Sequence, residues 1–414
     1  MTSPPHPRPP ALAALGVVLA LATGCGSGSS SPATASPVTA AATTTVAGAP
    51  SGDPAPGVPA LRVDTVVGGL EHPWDVGFLP AGAGLDGAVL VPERVGRLQL
   101  VRGGTATKVS MDLSDVFARG ESGLMGLVVH PDFATSREFS TCQSHTENGA
   151  PVDIRVKTRT LAPDGSSATA AARPLVTGLP LSPSGRHSGC RLGMDPTGAL
   201  MISTGDTADP VAPQDLTNLG GKTLRADLST GAPLPGAPFP QSPYVFSYGH
   251  RNPQGIVTRP GTDQVFTAEH GPDVDDEVNL DRAGGNYGWD PSQGGTVRTY
   301  DESAPMTDTT RFPDAVPAVW SSGDPTQAIS GATFLTGPQW GALDGALVVA
   351  ALKGQKVIGM TLDAAGALTG VLVPPALDGT HGRLRSAVQG PDGALYVTTD
   401  NGTDDALLRV TPAG

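Results

Sequence analysis

A strand–turn–strand unit recurs six times along this chain, and that repetition narrows the possible folds more than any other feature. Each copy is an apolar run, a turn centred on proline, and a second β-rich run. The copies are VGFLPAG around Pro80, GLVVHPD around Pro131, RLGMDPTGALMIST around Pro196, GIVTRPGTDQVFTA around Pro260, ATFLTGPQW around Pro338 and AVQGPDGALYVTT around Pro391. Proline presets one turn dihedral, and a following Asp-Gly or Thr-Gly closes the hairpin. Copies spaced by about 50 to 80 residues fit a radial array of four-stranded antiparallel blades. The expected fold is all-β, a six-bladed β-propeller. A pair of β-sandwiches is the structural alternative, and it would leave six similar hairpins unexplained.

The rest of the composition agrees. Glycine and proline number 55 and 41 of 414 residues, aromatics only 4%, and no long segment carries a helical period. A net charge of −13 argues against nucleic acid, which needs a basic face, and suits a soluble exported domain. The first residues read as an export signal: Arg8 gives a weakly positive start, and Ala11 to Ala22 is an uncharged apolar run too short for a permanent membrane helix. Leu21-Ala22-Thr23-Gly24-Cys25 resembles a lipobox, with Ala22 where leucine is usual. An ordinary cleaved signal is the alternative. The Gly-Ser-Gly-Ser-Ser-Ser that follows Cys25 reads as a tether and favours the lipoprotein. The organisation is then a signal over 1–24, an Ala/Thr/Ser/Pro-rich linker over 25–59 that cannot offset its ordering entropy, and one β-domain over 60–414. With Cys25 lipidated, Cys142 and Cys190 remain as an even pair outside the cytosol, where disulfides persist. They are expected to bond.

The chemistry concentrates between Ser247 and Asp290. Gly249-His250-Arg251-Asn252-Pro253-Gln254-Gly255 and Glu269-His270-Gly271-Pro272, then Asp275-Asp276-Glu277, are polar clusters separated by a short strand-like run. Proline and glycine in each exclude a helix interior, so they read as loops at strand ends, where a β scaffold carries its chemistry. Guanidinium, amide and acidic groups gathered so closely point to an anion and a hard cation held side by side. A pair of salt-bridged surface loops is the plainer alternative; two clusters in succession favour function.

The order HRNPQG, EHGP, an acidic pair before Glu-Val-Asn, and Gly-Asn-Tyr-Gly-Trp resembles the glucose/sorbosone dehydrogenase family, from about Val67 to Val410. These are quinoprotein β-propellers, including soluble aldose sugar dehydrogenases that use pyrroloquinoline quinone (PQQ). The resemblance implies a set of roles. His187, in Gly-Arg-His-Ser-Gly, would be the base that takes the sugar hydroxyl proton, oriented by Asp206. Arg251 and Asn252 would contact the reactive oxygens of the quinone, with Gln254 shaping the same loop. The carbonyls of Gly271 and Pro272 would hold Ca²⁺, with Asp276 as the acidic residue of that loop and Glu277 serving a second, structural calcium. Arg383, Arg385 and Lys353 would neutralise the carboxylates of PQQ, and Ser330 stands near a cofactor contact. Cys190 replaces a glycine common there, and a bond to Cys142 would brace the His187 loop. His270 and Glu121 stand where glutamine occurs in glucose-oxidising members or in the family generally. A carboxylate at Glu121 beside a tricarboxylate opposes binding unless it is protonated or turned away.

Three functions follow. The first is oxidation of an aldose or related alcohol, with electrons passing to an external acceptor. The second is a non-catalytic propeller that binds a ligand or protein partner through the same face. The third, a calcium-dependent lactonase, gives no reason for Arg383, Arg385 and Lys353. The expected location is the cell membrane, through the lipid alone, facing the periplasm or exterior.

Overall fold

The proline turns leave short β-branched runs with nowhere to go but back along themselves, and each of the six closes a hairpin. In the computed structural model, which describes residues 56–413, all six join the first and second strands of separate sheets. Blade 1 comprises Gly77–Phe78, Val89–Glu93, Arg97–Arg102 and Thr105–Lys108. Blade 2 comprises Leu124–Val129, Glu138–Glu147, Ala150–Leu161 and Val176–Leu179, with the short strand Ala168–Ala170 added to the third. Blade 3 holds Gly189–Met194, Leu200–Thr204, Lys222–Ala226 and Val245–Tyr248, and blade 4 holds Pro253–Thr258, Val265–Glu269, Glu277–Asp281 and Trp320–Ser321. Blade 5 is Ile329–Phe334, Leu347–Ala351, Lys356–Leu362 and Leu368–Leu372; blade 6 is Leu384–Gln389, Leu395–Thr399 and Asp405–Pro412. The fourth strand of blade 6 is Leu61–Leu70, from the other end of the chain, pairing antiparallel with Asp405–Pro412. The ring is thereby closed by its two ends. Every sheet is antiparallel, and the fold is a six-bladed β-propeller.

The signal, Cys25 and most of the linker lie outside the described residues. Val58, assigned to the linker from composition, is buried against Trp340 and Leu343, and the Gly57 carbonyl accepts from Ala342 N at 2.8 Å. The folded body therefore includes at least Gly57 and Val58. Among the described residues no helix is long and apolar enough to cross a membrane.

The core is distributed as slabs between neighbouring blades rather than gathered at one centre. Leu384, Ala387, Val397, Leu408 and Val410 of blade 6 pack on Val348, Ala350 and Val357 of blade 5; blades 2 and 3, 1 and 2, and 4 and 5 meet through similar clusters. The inner strands approach closely because glycine faces the neighbour. A Cβ on Gly126 would lie 2.3 Å from the Cys190 carbonyl oxygen, and one on Gly255 2.4 Å from that of Ser330. Between blades 3 and 4 the apolar contact shrinks to Met201, Ile256 and Val265. A buried polar set replaces it: the Thr223 hydroxyl donates to Asp281 (2.7 Å), and His250 bonds Ser247 (2.8 Å) and Glu269 (3.2 Å). The expected disulfide is present. Cys142 and Cys190 join the second strand of blade 2 to the inner strand of blade 3, with Cα atoms 5.8 Å apart.

Candidate active site

Antiparallel pairing brings the start of each inner strand and the end of its neighbour to the same rim of the ring. Glu121, His187, Arg251–Asn252, Arg383 and Arg385 occupy or precede the inner-strand starts, and Ser330 lies just inside one. Asp206, Glu269–His270, Lys353 and Asp400 close the second strands or follow them. Residues scattered over 280 positions thus line one funnel. The axis beneath is filled by Arg191, which donates to the Gln254 carbonyl (2.8 Å) and pairs with Asp75 (2.5 Å).

His187 and Asp206 meet in blade 3. His187 has φ +48°, a left-handed conformation that costs a non-glycine residue about 1–2 kcal/mol and that the neighbouring chain enforces: a Cβ on Gly205 would lie 2.0 Å from the His187 carbonyl oxygen. The ring is buried, with Nδ1 2.8 Å from Asp206 Oδ1. An ionised carboxylate only accepts, so Nδ1 carries the proton and Nε2 keeps its lone pair. Burial opposes the charge on Asp206, but the field and hydrogen bond of His187, with Arg251 and Tyr300, hold its carboxyl below the ordinary value. Arg186 Nη2 lies 3.3 Å from Nε2 and also pairs with Glu302.

Blade 4 supplies the second half. Arg251 is buried; its Nη1 donates to the His270 carbonyl (3.0 Å) and its Nη2 to Glu302 (2.9 Å), while Nε has no partner. Asn252 accepts from Gly189 N (3.1 Å) and donates to Glu121 (2.9 Å), to which Gln254 also donates (3.0 Å). Glu121 is therefore not turned away from the site. Burial works against its charge, and the fields of His187, His270 and Arg385 with the Asn252 bond outweigh it, leaving the carboxyl below its ordinary value. The Gln254 side-chain oxygen Oε1 accepts from Ser330 (3.2 Å) and from Arg385 Nη1 (2.6 Å).

The two arginines expected to act together are not equivalent. Arg385 is buried and pairs with Asp400, whereas Arg383 is exposed and donates to the Asp400 carbonyl at 3.2 Å. Lys353 is exposed on the rim of blade 5 and makes no ion pair among the described residues. His270 is pushed down to about 3 by burial, then by the Arg385 and Arg251 charges against the pull of Glu121, and its Nε2 has no partner.

The expected metal ligands divide. Gly271 must be glycine, since a Cβ would sit 2.0 Å from the Val274 carbonyl oxygen, and no donor among the described residues reaches the carbonyls of Gly271 or Pro272. Those oxygens suit a hard cation. Asp276 differs from the expectation. It accepts from Gly271 N (2.8 Å), Thr326 Oγ1 (2.7 Å), Gln327 N (2.5 Å) and Ala328 N (2.7 Å), which fills its four lone-pair directions. It braces the loop instead of offering a free oxygen. Glu277 lies deeper, accepting from Thr307 at 2.9 Å, with its carboxyl pushed up to about 8 by burial and then by Glu269.

Four participants were given no role by the sequence, although Trp289 closes the Gly-Asn-Tyr-Gly-Trp motif. Trp289, Tyr300 and Glu302 sit on the long connection between Glu277–Asp281 and Trp320–Ser321, where no periodicity says which residues turn inward. Arg94 follows the second strand of blade 1, the position that Asp206 and Asp400 hold in blades 3 and 6. Aligning the six hairpins by their strand ends would have found it.

The sequence profile described as Glucose / Sorbosone dehydrogenase matches residues 70–409. The chain is 30% identical over 361 residues to the aldose sugar dehydrogenase YliI of Escherichia coli, covering 85% of this chain and 93% of that one. It is 30% identical over 200 residues to quinoprotein glucose dehydrogenase B of Acinetobacter calcoaceticus, 42% and 40% of the two chains. The PQQ-bound aldose sugar dehydrogenase of Streptomyces coelicolor superposes with a TM-score of 0.71 at 28% identity, over 86% of this chain and 99% of that one.

Proposed function

Because the chain belongs to the glucose/sorbosone dehydrogenase family, we propose that it oxidises an aldose or related alcohol with PQQ and Ca²⁺. The observation that carries this reading is the buried His187–Asp206 pair at 2.8 Å, which leaves Nε2 at the mouth of a cation-lined funnel. When bound, PQQ supplies a two-electron acceptor for hydride, and Ca²⁺ a Lewis acid beside it. The pocket fits such an anion: Arg251 Nε and His270 Nε2 are buried without partners, and Arg94, Arg383 and Arg385 stand across the funnel. The carbonyls of Gly271 and Pro272 would hold the ion.

The chain's own part is proton handling and orientation. His187 Nε2 would take the proton from the substrate hydroxyl as hydride leaves the carbon that bears it, and Asp206 keeps the ring in the Nδ1–H tautomer and offsets the imidazolium charge. Arg251 would hold a fixed positive charge beside the bound quinone. Glu121 is an adverse group there, and the charges of Arg385 and Arg94 act against it.

Reconstitution tests the reading. PQQ titrated into the purified chain with and without Ca²⁺ should bind saturably only with the ion, and an aldose should then bleach the quinone band. Absence of binding would overturn it and leave a ligand- or protein-binding propeller. His187→Ala should bind PQQ and lose turnover by about 10²-fold or more. The N-terminal features extend the proposal to an exported lipoprotein anchored through Cys25. The Cys142–Cys190 bond supports an oxidising compartment, and palmitate labelling lost in Cys25→Ala checks the anchor.

A further inference from the structure

The carboxylate of Asp206 is fully committed, and half of its partners come from outside blade 3. Oδ1 accepts from His187 Nδ1 and from Ala208 N, both at 2.8 Å. Oδ2 accepts from Trp289 Nε1 at 2.8 Å and from the Tyr300 hydroxyl at 2.5 Å. Four donors fill four lone-pair directions. The two on Oδ2 belong to the long connection of blade 4, whose small core of Trp289, Ala304, Met306 and Tyr300 fixes it over the rim. Burial and the Asp206 charge push the Tyr300 hydroxyl far up, so it stays a donor. Tyr300 also lies 3.3 Å from His187 Nδ1, and its ring is 5.8 Å from the imidazole.

We propose that Tyr300 and Trp289 are positioning residues that act on the base through Asp206, setting how strongly its carboxylate draws a second proton onto His187. The inference rests on His187 being the base. Two donors on the far oxygen spread the carboxylate charge. The imidazole is then held in one tautomer yet releases its proton again after each turnover. Without the Tyr300 hydroxyl, Asp206 becomes a stronger counter-charge and the imidazolium persists to higher pH. The other charged groups around His187 are Arg186, whose Nη2 faces Nε2, Glu302 behind it, and Glu121, His270 and Arg251 across the funnel. Tyr300→Phe leaves all of these in place.

The test needs no cofactor. In the full chain, the low-field proton NMR resonance of His187 Nδ1–H is identified by its absence in His187→Gln and followed against pH. Tyr300→Phe should raise the titration midpoint by about 0.5 to 1 pH unit, a part of the worth of one hydrogen bond to a carboxylate, because Asp206 stays ionised in both states of the imidazole. Trp289→Phe should move it the same way, and it carries the test if Tyr300→Phe loses its cooperative melt. In the reconstituted enzyme the acid limb of kcat/KM should move with the resonance. A midpoint unchanged in a folded variant overturns the inference, whatever happens to the melting temperature. A raised midpoint in a chain that fails to bind PQQ supports the inference about Asp206 and removes only the dehydrogenase reading.

Discussion

At the scale of single residues, charge inside the funnel decides most of what can be tested. Glu121 has its carboxyl held below the ordinary value and takes the amide donors of Asn252 and Gln254 for itself. Glu121→Gln removes a negative charge from a site proposed for a tricarboxylate. PQQ affinity at pH 7, read by absorbance titration, should tighten by about tenfold, or about 1.4 kcal/mol. Asp400 works in the opposite sense. Burial alone would raise its carboxyl, but the Arg385 charge, then the bonds from His72 and Arg385, bring it down to about 2. A carboxyl held below its ordinary 3.8 favours the folded state above that value and loses this contribution as pH falls towards 2. Asp400→Asn should cost about 3–5 kcal/mol at pH 7, because it leaves Arg385 buried without its counter-charge. Urea unfolding should also show a shallower loss of stability between pH 4 and 2 than in the parent chain.

At the scale of elements, the hairpins were legible because their turns are local: proline with a nearby glycine dictates where each pair of strands reverses. The disulfide was legible from cysteine count and compartment, and its placement adds a consequence. It closes a separation of 48 residues and ends at Cys190, three positions from His187. Cys142→Ser with Cys190→Ser should lower unfolding free energy by about 2–4 kcal/mol, measured in urea. The long connection of blade 4 was opaque. Tyr300 and Glu302 reach the site by packing on blade 3, and nothing within residues 282–319 carries the period of a strand or helix. For Arg383 and Arg385 the alternation was visible, but which guanidinium would be neutralised depended on Asp400, fifteen residues from Arg385.

At the scale of the whole molecule, the ring is held by a strand that could have been mistaken for a linker extension. Leu61–Leu70 completes blade 6, and both Val58 just before it and Leu70 at its end are buried. Deleting residues 56–70 exposes those partners and the whole edge of Asp405–Pro412. Loss of Val58 and Leu70 alone forfeits about 3–6 kcal/mol, against a net stability of about 5–15 kcal/mol typical of folded domains. Calorimetry should show no cooperative transition in that deletion. The number of hairpins, the all-β class and the two polar loops of blade 4 could be read from the sequence because each depends on residues near one another along the chain, and the cysteine pair because only two thiols were left to join. The folded ring settled which polar groups share the rim, that three backbone amides and the Thr326 hydroxyl saturate Asp276, and that Asp206 answers to Trp289 and Tyr300. Those outcomes depend on ring closure, which brings groups from all six blades to one axis and lets burial and neighbouring charge settle each role.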